Sequence, residues 1–207
     1  LRDIPGLLIG CPSRGDDAAM MLRTMMAMAR VDGRVCAFLE PIALYMTKDL
    51  YEAGDGLWLT GYPSPEQAIT LGEGRGYGEG DDLVIFSFGN GIPMSLRAAR
   101  TIEKKYGWKT RVVDMRWLVP LNEAFIREQA ATAKRILIVD EGRRSAGVGE
   151  GIITAIVEGG YGARPFQRVV GVDTYTPLAG AALLVLPGDD DIVAAAKAWG
   201  ADLVIVE

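Results

Sequence analysis

Short apolar runs of strand length recur along this chain, and most of the stretches between them are rich in helix formers. The runs are GLLIG, VCAFLE, LVIFSFG, TRVVDM, RILIVDE and RVVGV, and the intervening helical stretches cover 18–29, 92–106, 122–133 and 149–158. Strands that alternate with helices require right-handed crossovers, so the chain is expected to be an α/β protein with a mainly parallel sheet flanked by helices. A last helix is expected from the Asp189-Asp190-Asp191 triplet through Trp199, and the tail DLVIVE reads as a final strand. Ser13, Asp16 or Asp17 is placed to cap the first helix. Five methionines, Met20, Met21, Met25, Met26 and Met28, crowd that helix and mark it as a core element rather than an adaptable groove. Between Pro41 and Asp82 the pattern dissolves into Gly-Asp-Gly, Pro-Ser-Pro and a run of alternating glycines, the one stretch that reads as a domain connector or an edge strand.

The glycines at 72, 74, 76, 78 and 80 never fall in the i, i+2, i+5 spacing of a dinucleotide loop, and no Gly-Lys pair makes a phosphate loop. A net charge of −5 removes the broad basic surface that nucleic acid requires, and no apolar run approaches the roughly 18 residues of a membrane span. No nucleic-acid or membrane partner is therefore expected. Cys11 and Cys36 lie in apolar stretches outside any Cys-x-x-Cys pairing, which points to buried thiols in a reducing, cytoplasmic setting. The chain has no histidine at all. That excludes a Ser-His-Asp triad, a Cys-His pair and an imidazole metal ligand, so chemistry must come from carboxylates, a cofactor or further protein. The start at Leu1, with no signal segment after it, reads as internal to a longer parent.

Parallel α/β sheets place ligands at the carboxyl ends of their strands, which singles out Glu40, Ser87 to Asn90, Asp114 to Arg116, Asp140 to Arg144 and Asp173. The segment VDEGRRSAGVGEG joins Asp140 and Glu141 to Arg143, Arg144 and a helix start. Guanidiniums and free amides there suit an anion, whereas the two carboxylates suit a structural turn. Ser13 and Ser87 lack the setting of a nucleophile. Asp16 and Asp17 complement a helix dipole without any catalytic role.

Read in order, IPGLLIGCPS, Asp16-Asp17-Ala18, FLEPIALY, GDDLVIFSFG, VVDMRWLVPLN and VDEGRRSAGVGEGI resemble the β subunit of thiamine-diphosphate-dependent 2-oxoacid dehydrogenases, the E1 component, within the transketolase-like superfamily. The resemblance spans nearly the whole chain and is weakest from Lys48 to Pro65. It implies that residues 1–80 are the end of a pyrimidine-binding domain with its linker, and that residues 81–207 are a transketolase C-terminal domain. It also implies that the cofactor-activating glutamate and a neighbouring histidine lie upstream of Leu1, so no catalytic or cofactor-binding residue is assigned within the chain. The activity implied for the intact enzyme is attack of the thiamine ylid on a 2-oxo acid, loss of carbon dioxide and acyl transfer to a lipoyl group. Thiamine diphosphate and magnesium are its implied cofactors.

The implied partners are an E1 alpha subunit or the rest of the same chain, a homodimeric contact through the C-terminal domain, and the lipoyl acyltransferase (E2). The triplet Asp189 to Asp191 could steer a basic partner or simply solvate a helix start. The family likeness further implies a potassium ion held by backbone carbonyls of Ala29, Arg30 and Asp32. Arg34 stands there in place of the usual asparagine, and a plain helix C-terminal turn at Asp32-Gly33 accounts for the same residues. The rival readings are a non-catalytic assembly module and a transketolase-type transferase. The isolated chain is expected to be inactive.

Overall fold

In chain order the elements are β1 (Leu8–Gly10), α1 (Gly15–Val31), β2 (Cys36–Phe38), β3 (Arg75–Tyr77), β4 (Leu83–Ser87), α2 (Gly91–Tyr106), β5 (Thr110–Asp114), β6 (Trp117–Val119), α3 (Glu123–Thr132), β7 (Ile136–Arg143), α4 (Val148–Ile156), β8 (Phe166–Gly171) and α5 (Asp189–Lys197). They come from a computed structural model that describes residues 1–199, so the tail strand expected at 202–207 lies outside the described residues. The elements form two units. The first comprises Leu1–Arg75 with Phe88–Asn90 and Asp114–Asn122, and the second comprises Gly76–Ser87, Gly91–Val113 and the chain from Glu123 onward.

In the first unit β1, α1 and β2 make a parallel crossover, with Leu8 opposite Cys36 and Gly10 opposite Phe38. The third strand is β6, which pairs antiparallel with β1 and gives the order β2-β1-β6. Sequence reading missed β6, because three residues before a proline carry no periodicity and only the tertiary partner makes them a strand. Its Trp117 fills the core with Met21, Met25 and Ile69. The methionine helix is thus a core element at Met21 and Met25, while Met26 faces outward. Gly10 leaves room for this packing, since a Cβ there would sit 3.0 Å from the Met21 methyl and 3.2 Å from the Met25 sulfur.

The second unit is a five-stranded sheet in the order β3-β5-β4-β7-β8. β4 pairs parallel with β7, and β7 with β8. Every residue of β4 is buried, as its unbroken apolar run requires of a strand covered on both faces. β3 forms the edge, in agreement with the edge-strand alternative for the glycine-rich stretch. A Cβ on Gly80 would collide with the backbone of Lys109 and Thr110, so the segment that follows β3 approaches the start of β5 through glycine. The helix expected to run to Glu158 leaves α-geometry after Ile156 and closes in a wider π turn, Val157–Tyr161, with Gly160 at φ +86. The rest of the connector is organised by its own carboxylates. Asp55 accepts the amides of Leu50, Tyr51, Glu52 and Leu57 at 2.8–3.0 Å, and Asp49 accepts those of Gly54 and Gly56 at 2.8 Å. Among the described residues no helix is long and apolar enough to cross a membrane.

Candidate functional site

The turn after β1 and the turn after β5 bring four of the singled-out residues together inside the first unit. Ser13 donates its hydroxyl to the carboxylate of Asp114, which also accepts the Arg116 amide at 3.0 Å. Arg116 adopts a left-handed backbone, φ +53, and its guanidinium grips Asp17 on α1 through Nε at 3.1 Å and Nη2 at 2.9 Å. Arg75 adds a second guanidinium to Asp17 at 3.1 Å. Asp17 and Asp114 are both 0% exposed and Arg116 is 2% exposed. Two buried carboxylates thus face two guanidiniums, the arrangement that makes buried charge tolerable.

Burial raises Asp17 above the ordinary carboxyl value, against the pull of Arg116 and Arg75. Burial likewise raises Asp114 to about 6, opposed by the Ser13 bond and by Arg116. Desolvation wins in both cases because the charged form loses its water.

These contacts correct the expected capping of α1. The residue at the cap is Arg14, without a side-chain cap bond, because the Ser13 hydroxyl is drawn away to Asp114. The first helical amides are served instead by Thr60, which accepts from Asp16 at 3.1 Å, and by Asp16, which accepts from Asp17 at 3.0 Å. Asp17 stands in the first turn of α1, as expected, and is in addition a buried ion-pair partner of Arg116 and Arg75. Ser13 is 2% exposed, so its hydroxyl is closed to a substrate.

Beside this cluster opens a groove of about 730 Å³, walled by Pro12, Leu22, Phe38, Tyr45, Trp58 and Tyr62. Trp58 is tied to the cluster, its indole nitrogen donating to the Ser13 carbonyl at 3.2 Å while Arg14 stacks over its ring at 5.4 Å. Glu40, two residues after β2, lines the same groove and accepts the Tyr45 hydroxyl. Trp58 and Arg75 escaped sequence reading, since neither follows an apolar run and both act across long sequence separations.

The remaining candidates are structural in their contacts. The Ser87 hydroxyl donates to the Val139 carbonyl at 2.8 Å. Asp140 accepts the amides of Gly142 at 2.8 Å and Gly149 at 3.0 Å, so one of the amides at the start of α4 is already taken by the chain's own carboxylate. Arg143 and Arg144 are exposed, and Asp173 takes the Ser145 hydroxyl at 2.8–2.9 Å. Asp189 is held by the fork of Arg97 at 2.6 and 2.9 Å, and Asp191 accepts the Gly188 amide at 2.8 Å. Both contacts fit a helix start more closely than a free acidic patch. Ala29, Arg30, Asp32 and Arg34 form the exposed end of α1, where the Met28 carbonyl accepts the amides of Asp32 at 3.0 Å and Arg34 at 3.2 Å and Gly33 has φ +66. Among the described residues no group of three or more histidine, cysteine, aspartate or glutamate side chains is placed to hold a metal ion.

Comparison with known proteins agrees with this architecture. The chain is 29% identical over 199 residues to the pyruvate dehydrogenase E1 component subunit beta of Staphylococcus aureus, covering 95% of this chain and 57% of that protein. It is 30% identical over 190 residues to the 3-methyl-2-oxobutanoate dehydrogenase subunit beta of Mycobacterium tuberculosis, covering 91% of this chain and 50% of the relative. The chain therefore spans little more than half the length of these relatives. A solved structure described as a split gene transketolase, inactive beta4 tetramer, superposes with a TM-score of 0.71 at 24% identity over 95% of this chain and 58% of its own. The description Transketolase, C-terminal domain matches residues 72–191. With that match covering more than half of the sequence, the chain belongs to the transketolase C-terminal domain family.

Proposed function

We propose that this chain is part of the β subunit of a 2-oxoacid dehydrogenase E1 component, in which it serves as scaffold, associates with other subunits and docks the partner acyltransferase. The observation that carries the reading is the alignment, over nearly the whole chain, with two dehydrogenase β subunits that differ in their named substrates. In this reading residues 1–80 close a pyrimidine-binding domain and residues 81–207 form the C-terminal domain. The partners are an E1 alpha subunit or the rest of the same chain, a second copy through the C-terminal domain, and the lipoyl acyltransferase, in a cytoplasmic setting.

Thiamine diphosphate with magnesium supplies the carbanion chemistry of such enzymes. The described residues do not fit that group: they offer no metal-ligating cluster, and the chain has neither a histidine nor a glycine phosphate loop. The cofactor is therefore assigned to the rest of the enzyme. A potassium ion at the carbonyls of Ala29, Arg30 and Asp32 is part of the same proposal, and a higher thermal midpoint in potassium than in sodium chloride would support it.

The test uses the full-length protein purified with any co-encoded subunit, and follows 2-oxo-acid-dependent reduction of an artificial electron acceptor in the presence of thiamine diphosphate and magnesium. Turnover of pyruvate or a branched 2-oxo acid by the full protein, with this chain alone inert, is the expected result. If the full protein neither binds thiamine diphosphate nor decarboxylates any 2-oxo acid, the dehydrogenase reading fails and an assembly module takes its place.

A further inference from the structure

The chain between β8 and α5 is held at its base and bare at its tip. The Val172 amide donates to the Val185 carbonyl at 2.8 Å, so the two ends of the segment meet, and the amides of Val185 and Leu186 return to the Ala182 carbonyl at 3.1 and 3.0 Å. Between these ends lies a 3-10 turn, Ala179–Leu184, in which no residue is buried. A closed loop of this kind is ordinarily packed by its own side chains. This one turns them out: Tyr175, Leu178, Leu183 and Leu184 are 80–91% exposed.

From Thr174 to Gly188 no residue is charged. The acids at either end are committed within the chain, Asp173 to the Ser145 hydroxyl and Asp189 to the fork of Arg97. Four large apolar side chains at that exposure present roughly 600 Å² on one loop, the upper end of the largest patch a monomer usually leaves in water. A standard interface draws about 800 Å² from each partner, so this loop alone supplies most of one side.

We propose that the 172–186 loop is the face through which two copies of this chain meet, each loop packing against the same loop of its partner about a twofold axis. The proposal rests on the second-copy contact of the reading above and gives that contact a surface. Charge selects this occupant. A charged partner finds nothing to pair with between Thr174 and Gly188, and two copies that each carry −5 repel wherever their acidic faces approach, so the uncharged loop is where they close without like-charge cost. An apolar face also needs an apolar counterpart, and a twofold contact provides one by setting the patch against itself.

The experiment puts the photo-crosslinking residue p-benzoylphenylalanine in place of Leu178 in the full-length protein, purified with any co-encoded subunit, and reads the irradiated products by denaturing gel and peptide mass spectrometry. The expected product has twice the mass of the full-length chain, and its linked peptides both come from 172–186, a junction of identical segments that only two copies can form. L183D/L184D, which sets two charges at exposed positions of the loop, is expected to lower the yield of that product at least about tenfold. A product joined only to another subunit, or to a different segment of a second copy, overturns the proposal, as does the absence of any product. So does a doubled product that survives unchanged in L183D/L184D. These outcomes are separable from the dehydrogenase reading, which stands or falls on 2-oxo-acid turnover whether or not the loops cross-link.

Discussion

Arg116 holds a left-handed backbone, φ +53, that side chains other than glycine and asparagine rarely adopt, and the cluster around it explains why the strain is tolerated. The turn aims its guanidinium at Asp17 while its amide reaches Asp114. Replacing it with glutamine leaves Asp17 buried with Arg75 alone, and R116Q is expected to cost about 3 kcal/mol in urea unfolding, with D17N/R116Q recovering most of that loss. Asp114 gives a second prediction with a definite sign. Its carboxyl is raised from 3.8 to about 6 in the folded protein, so the native state binds that proton more tightly than the unfolded chain does. The associated stability is complete below both values and is lost as pH rises through the higher one. The advantage of wild type over D114N should therefore shrink by up to about 3 kcal/mol between about pH 4 and pH 7.5, read by urea unfolding at each pH. Asp114 and Arg116 were visible in the sequence as residues after an apolar run. Their partners were not, because Ser13 and Asp17 lie about a hundred positions away and nothing local distinguishes a buried aspartate from a helix-start one.

Most helices and longer strands were legible because their periodicity and length agree with their burial. α2 and β4 are the plainest cases: one buries Leu96, Ala99 and Ile102 on one face, the other is apolar throughout. β6 and the π turn after α4 were not legible, since each exists through its tertiary partners. Gly80 gives the element-scale prediction. Alanine there is expected to cost about 3 kcal/mol or more and to detach β3 from β5, whereas alanine at Gly76, with nothing within 4 Å of its Cβ, should change the thermal midpoint little or raise it. Hydrogen exchange of the 75–77 amides distinguishes strand loss from general destabilisation. The same reasoning explains why the anion reading of Asp140 to Arg144 gave way to a structural turn. A carboxylate already bonded to the Gly149 amide leaves the helix start neutralised from within.

At the scale of the whole molecule the chain is woven: residues 114–122, which follow β5 of the second unit, supply β6 and the buried cluster of the first. A truncation after residue 80 would keep β1, α1 and β2 but lose Trp117, Arg116 and Asp114 from their core and ion-pair network. Residues 1–80 alone are therefore expected to show no cooperative thermal transition by circular dichroism, and residues 1–122 to regain helix signal from α1. The weave also orders events during synthesis. Until residue 122 has cleared the ribosome exit tunnel, the methionine-lined face of α1 has no tryptophan to close on, whatever the local propensity of the helix. For that interval Met21, Met25 and Ile69 lack the ring that completes their packing, so the demand of the nascent chain for a holding chaperone is expected to be higher before Trp117 appears than after it docks.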